Sequence, residues 1–265
     1  MSDLRILSYL PNPRIWKATI TARLLDVNVD VRGAPPRELG QWLWDFDARP
    51  LTEADRADPS LQRQGRTGFR GELFKSDAFL AAHPYGTVPA AFSGDGAVGI
   101  FESNSIMRAV ARLGGNDHGL YGRDPYSASR IDSFLDASLV FARDSQFYLL
   151  ALGSKGLTFE IHDRARTAFE NYMNAIESVL SHSAFIAGPE LSLADICFVC
   201  EYSLFSRERA WKNTIEDLGT TPIDWSAFPR ATAHYESLCA HPQFIDDVAP
   251  FREKLAADIQ KHGAA

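Results

Sequence analysis

Glu102-Ser103-Asn104-Ser105, at what reads as a strand-to-helix junction, carries the plainest chemistry in the chain. A helix N-terminus has free N–H groups and a partial positive charge, which suit a carboxylate. Ser103 can donate to such a carboxylate, and Glu102 can accept from an ammonium beside it. The pair therefore matches the head group of an α-amino acid. A Ser103 that only caps its helix is the competing reading. Gly86-Thr87-Val88-Pro89 is the second pattern. A proline in a strand that otherwise reads as central needs a bulge, an edge or a cis bond. A cis bond after Val88 would turn the Val88 N–H and C=O outward to pair with an extended peptide. A trans proline at a strand start is the alternative. The third pattern is Leu191-Ser192-Leu193-Ala194-Asp195-Ile196, where Ser192 and Asp195 form a capping box and Leu191 and Ile196 sit at the staple positions.

Other signals read as structural. Cys197-Phe198-Val199-Cys200 has C-x-x-C spacing but falls inside an apolar helix, after its capping box. A redox pair needs its first Cys exposed at a helix start, so both are expected to be small core residues. The seven His are scattered without ligand spacing, so no metal site is expected. No Gly-rich phosphate loop is present.

The elements that must position these residues follow from hydrophobic period. Leu4 to Leu10 reads as a strand, interrupted by Pro11-Asn12-Pro13. Ile15, Ala18, Thr19, Ala22 and Leu25 then recur at helical spacing, with Lys17 and Arg23 off that face. Val27, Val29 and Val31 alternate with polar residues as a half-buried strand, so the opening is β-α-β with two parallel strands. From Gly33 to about Lys75 the period is lost among Pro35, Pro36, Pro50 and Pro59, and a disordered segment or a lid is expected there. Phe74 to Ala82 reads as a short helix, Thr87 to Phe92 as a strand, Gly94-Asp95-Gly96 as a hairpin turn and Val98 to Phe101 as the returning strand. A linker is placed at 114–125, and beyond it the pattern is helical. Ile131, Phe134, Leu135, Leu139 and Ala142 make one stripe; Phe169, Tyr172, Met173, Ile176 and Leu180 make another.

The 265 residues suit about two domains. With 45% apolar and 23% charged residues the composition is that of a globular protein. The net charge of −7 excludes a broadly cationic nucleic-acid binder. No apolar run reaches the ~20 residues of a membrane span, and the first ten residues do not read as a signal peptide. Three Cys give no disulfide framework, which fits a cytoplasmic protein.

Taken in order, these motifs resemble the cytosolic glutathione transferase family. The strand, the Pro11-Asn12-Pro13-Arg14 turn, the helix and the next strand match its thioredoxin-like start. Val88-Pro89 matches its cis-proline, Glu102-Ser103 its γ-glutamyl site, and Ser192 to Asp195 its C-terminal-domain capping box. Phe228-Pro229-Arg230 through His241-Pro242-Gln243-Phe244 resembles the family's last conserved helix region. Phe101 to Ile106 and Arg14 to Ala18 are similar to the transferase-like domain of the elongation factor 1B gamma subunit, an assembly module. Pro11-Asn12 is similar to the turn of bacterial Nu-class enzymes.

The resemblance implies a fold and a cosubstrate. The expected fold is an α/β thioredoxin-like domain at 1–113, with an insertion at about 34–72, then an all-α domain at 126–265. Glutathione is the expected cosubstrate, a small hydrophobic and aromatic electrophile the second substrate, and a homodimer the assembly. A free thiol has a pKa of ~8.5, so the site must favour the thiolate. Asn12, Tyr9 and Ser8 are the candidates to donate to the sulfur. The hydroxyl residue that many relatives carry just before Pro-Asn is Leu10 here. Val88, Pro89, Glu102, Ser103, Lys75 and Arg14 are the expected glutathione contacts, with Arg70 and His83 as further cations for the glycine carboxylate. Trp42 and Trp44, with Phe46 and Phe69, are expected to fold over the electrophile opposite Tyr126, Phe141, Tyr148 and Trp211. Anchoring the insertion to the core or to a dimer partner is the competing role of its aromatic residues.

Overall fold

The computed structural model describes residues 2–65, 69, 71–115, 118–154 and 156–263. The chain divides into two compact units, Met1–Gly115 and Asn116–Ala265.

The first unit opens with β1 (Leu4–Tyr9), α1 (Pro13–Leu25) and β2 (Val29–Ala34). Its principal sheet also holds β7 (Ala90–Ser93) and β8 (Gly99–Phe101), in the order β2-β1-β7-β8. β1 runs parallel to β2 and antiparallel to β7, and β7 is antiparallel to β8. Strand alternation sends side chains to two cores. Leu4, Ile6 and Ala91 pack with Ile15, Ala18 and Ala22 of α1 and with Ile106 and Val110 of α4 (Ser103–Leu113). Leu7, Ala90 and Phe92 enter the other core.

That second core is built largely by the segment for which the lost period predicts disorder or a lid. It folds instead into a second sheet of β3 (Trp42–Trp44), β4 (Arg49–Pro50), β5 (Gln62–Gln64) and β6 (Glu72–Lys75), in the order β4-β3-β6-β5. A short helix, α2 (Glu53–Ala57), is capped by Thr52 and Asp55. Leu39, Trp44, Ala48 and Leu73 join Phe79 of α3 (Asp77–Ala82) beneath the principal sheet. Phe74 and Lys75, expected in a helix, lie in β6; the helix starts after Ser76, whose hydroxyl accepts from Phe79 N–H.

The second unit comprises α5 (Pro125–Ser154), α6 (Phe159–Val179), α7 (Leu193–Phe205), a 3₁₀ segment (Ser206–Trp211), α8 (Lys212–Glu216), α9 (Pro229–Cys239) and α10 (Pro242–Gly263). The buried face of α5 runs through Ile131, Leu135, Ser138, Phe141, Ser145 and Tyr148. Leu139, expected in that stripe, is exposed because the face drifts toward Ser138. Every residue of α7 is buried, Cys197 and Cys200 included. Cys239 is buried as well, and burial pushes its thiol up to about 11. No helix among the described residues is long and apolar enough to cross a membrane.

Two buried carboxylates organise this unit differently. Asp195 accepts four hydrogen bonds, from Ser192 N–H and Oγ, Ile186 N–H and His234 Nε2, at 2.8–2.9 Å. A capping Ser alone contributes about 1 kcal/mol, and here the box also ties the 186 loop and α9 to the start of α7. Glu208, only 1% exposed, accepts one bond, from Ile223 N–H at 3.3 Å, and its Oε2 has no partner. Burial therefore raises its pKa, against the pull of Arg209 on its own segment. Tyr148 from α5 and Trp225 face the same carboxyl. Tyr148 in turn bonds His162 Nδ1 at 3.0 Å, while His162 Nε2 reaches Thr221 C=O at 3.1 Å. A carbonyl only accepts, so Nε2 carries the hydrogen and Tyr148 O–H donates to Nδ1.

A raised folded-state pKa means that the protonated Glu208 is the form the fold favours. Its contribution is full below the ordinary glutamate range and is lost as pH rises through the raised value. Thermal melts across pH should show wild type falling relative to Glu208→Gln over that window, and parallel curves would refute it.

Candidate functional site

The turn from β1 into α1 holds all three candidate thiol donors. Asn12 is the N-cap of α1: its Oδ1 accepts from Arg14 N–H at 3.0 Å, while its Nδ2 donates to Ser8 Oγ at 3.1 Å. Only one orientation of the amide satisfies both bonds. Asn12 is 1% exposed and Ser8 is fully buried, so this pair ties the end of the strand to the start of the helix. Asn12 keeps a second amide hydrogen. Tyr9 is half-buried against the core that Leu7 enters. Arg14 is half-buried on the first turn of α1.

The other face of the candidate cleft is the loop into β7 and the junction of β8 with α4. The Val88–Pro89 bond is cis, and so is Leu10–Pro11, which the sequence reading did not anticipate. Lys75 is buried, its Nζ donating to Gly86 C=O at 2.6 Å and lying 4.6 Å from the Trp44 ring centre. It thus braces the loop before Pro89 from the second sheet. His83 is also buried, stacked at 5.0 Å on Phe101, with Nε2 3.4 Å from Thr87 Oγ1 and no partner for Nδ1. Burial, with the charge of Lys75 adding, holds it below the usual imidazole range. Two of the three cations expected near a glycine carboxylate are therefore turned inward. The third, Arg70, lies outside the described residues.

Glu102 is exposed and adopts φ 67°, ψ 124°, a conformation costly for a non-glycine residue. It is the N-cap of α4 but its side chain makes no capping bond, and the first turn of α4 contains no acidic residue. Ser103 is buried beside it. Lys17, placed off the buried face by the periodicity, is 1% exposed and reaches across from α1. Its Nζ lies 2.7 Å from Asn104 Oδ1 and 3.3 Å from Ser103 Oγ. The sequence reading missed it because a lysine counts as polar in a period. The only pointer was its place within Arg14 to Ala18.

The aromatics named for the electrophile wall take different places within each unit. Trp44 is buried in the core of the first unit, with Nε1 donating to Leu39 C=O at 3.1 Å, and Trp42, Phe46 and Phe69 pack on that core. Anchoring is what these rings do, because a short sheet with little hydrophobic surface of its own needs them for attachment. In the second unit Tyr148 is fully buried, whereas Tyr126 is 89% exposed on the first turn of α5. Trp211 ends the 3₁₀ segment, half-buried. Phe141 stacks on Tyr172 at 4.8 Å and borders a cavity of about 510 Å³ between α5 and α6. Phe134, Val140, Tyr172 and Ile176 are among its apolar walls, and Asp144 and Arg164 also line it. Among the described residues no group of acidic, His or Cys side chains could hold a metal ion.

A thioredoxin-like α/β unit carrying a cis-proline, succeeded by an all-helical unit, is the glutathione transferase fold. Residues 159–242 match the family described as glutathione S-transferase, C-terminal domain. Among particular relatives, the probable elongation factor 1-gamma 1 of Arabidopsis thaliana is 27% identical over 203 residues, covering 72% of this chain and 46% of that protein. Elongation factor 1-gamma of Trypanosoma cruzi is 32% identical over 115 residues, 43% of this chain and 26% of that protein. The chain thus spans less than half the length of the curated relatives it matches. Among solved structures, an epsilon-class glutathione S-transferase from the housefly Musca domestica superposes with TM-score 0.65 at 18% identity, covering 98% of both chains. Isozyme E7 from Drosophila melanogaster gives 0.66 at 16% identity, covering 98% of this chain and 96% of that one.

Asn12→Ala removes the cap and the Ser8 bond together. Urea unfolding should show a loss of about 1–2 kcal/mol with no ligand present; an unchanged midpoint would show that the pair does not hold the β1–α1 turn.

Proposed function

We propose that the chain is a glutathione-dependent transferase. Glutathione lies along the Val88 backbone beside Pro89, with its amino-acid head at Glu102 and Ser103. Asn12 holds its sulfur as the thiolate, with Tyr9 and then Ser8 as the other candidate donors. Arg14 flanks the tripeptide, and Lys75, bonded to Gly86 C=O, braces the loop that presents Val88 to it. The thiolate attacks a small hydrophobic, aromatic electrophile, forming a thioether or cleaving an ether or disulfide. The observation that carries this reading is the Glu102–Ser103 junction: an uncapped helix start with a buried serine and an exposed carboxylate side by side. Such a start suits a carboxylate, and the Glu102 side chain suits an ammonium. The spare amide hydrogen of Asn12 supports its role, since a bond to a charged partner contributes ~1.5–3 kcal/mol. A cytoplasmic setting accords with three buried, unbridged cysteines.

A second reading, a transferase-like assembly module that performs no chemistry, is favoured by the matches to elongation factor 1-gamma. Calorimetry with millimolar glutathione separates the two. The enzyme reading expects binding, with the thiol pKa, followed by ultraviolet absorbance of the thiolate, falling from about 8.5 toward about 6.5. Asn12→Ala should return it and Tyr9→Phe should not. Absence of binding leaves the assembly module.

The family resemblance also supports a homodimer, and α5 offers a surface for it. Val140, Phe147 and Leu150 are exposed there, and Val140 borders the cavity lined by Phe141. Sedimentation should give a dimer for wild type and a monomer for Val140→Glu combined with Phe147→Glu. A wild-type monomer, or a variant that stays dimeric, would remove this surface from the proposal.

A further inference from the structure

Lys17 places a cation where a helix alone would not favour one. The N-terminus of α4 already carries partial positive charge, and its first turn holds no acidic residue. Lys17 adds an ammonium against the first two residues of that helix, at 3.3 Å from Ser103 Oγ and 2.7 Å from Asn104 Oδ1. An ammonium has only hydrogens to offer. Ser103 Oγ is therefore the acceptor in this bond, and its own hydrogen must point elsewhere. The charge behind it makes that hydrogen a stronger donor. The location is fixed from both sides, since Thr21 Oγ1 donates to Lys17 C=O at 2.6 Å and Asn104 is fully buried.

We propose that Lys17 is a positioning residue: it turns Ser103 into an obligate donor and biases the α4 N-terminus toward ligands that bear a carboxylate. The inference deepens the glutathione reading and rests on it. Its specific content is selectivity. The site discriminates an α-amino acid group from the same group without its carboxylate, and Lys17 is the source of that discrimination. A lysine that merely ties α1 to α4 would affect every ligand of the unit alike.

The test uses the full chain and two tripeptides, glutathione and 4-aminobutyryl-cysteinylglycine, which lacks only the α-carboxylate. Calorimetry should show Lys17→Met weakening glutathione by about tenfold, equivalent to about 1.4 kcal/mol, while the decarboxylated tripeptide changes by less than about twofold. Lys17→Gln keeps a donor, removes the charge and is easier to accommodate in the fold, so it is the second variant. It should show the same selective loss. Thermal unfolding of each variant establishes that it is folded at the measuring temperature. Equal losses on both ligands, or no loss on either, would overturn the proposal and leave Lys17 as a structural tie. Wild type that binds both tripeptides with equal affinity would overturn it as well, with the glutathione reading intact. Wild type that binds neither at millimolar concentration would overturn both.

Discussion

A buried ammonium must be hydrogen-bonded, because stripping it of water costs several kcal/mol. That constraint governs the first unit. Lys17 meets it with oxygen atoms from α4, so the spacing of α1 and α4 is tied to a polar contact as well as to the apolar packing of Ile15, Ala18, Ile106 and Val110. The same contact sets the direction of Ser103 at the mouth of α4. Because α1 begins at Asn12, which is bonded to Ser8 at the end of β1, the polar ties run in series. They run from the strand end to the helix cap, along the helix, and across to the next helix start. The candidate thiol donors and the candidate head-group site are thereby parts of one rigid frame.

Local signals in the chain foretold local structure. The β-α-β opening is visible because Val27, Val29 and Val31 alternate and the α1 residues recur within single windows. The α7 capping box is visible because Ser192 and Asp195 are three residues apart and nothing distant is needed to form it. The second sheet was hidden for the opposite reason. Its strands are two to four residues long, and Leu43 pairs with Phe74, with α2 and β5 lying between them in the chain. No window of hydrophobic period can register a partner so far along.

The candidate site divides in the same way. Glu102, Ser103, Val88 and Asn12 were legible because each sits at a break in a local pattern. Lys17 and Glu208 were not, since residue type argued for solvent in both cases. Glu208 lies within Ser206-Arg207-Glu208-Arg209, which reads as an exposed polar run, yet it ends against Tyr148 and Trp225. For the aromatic residues between β2 and β7, residue type left a binding wall and an anchor both open, and Trp44 and its neighbours fasten a thin sheet to the core. In each case burial was decided by partners outside the segment.

The cysteines carry a consequence for any work with reactive small molecules. Cys197, Cys200 and Cys239 are all enclosed, and none has a second sulfur bound to it. The folded chain therefore offers a thiol-directed alkylating or oxidising reagent no exposed cysteine of its own. Labelling of a cysteine by a thiol-directed reagent would record unfolding of the helical unit, which makes the native protein a quiet background against which a guest thiol can be followed.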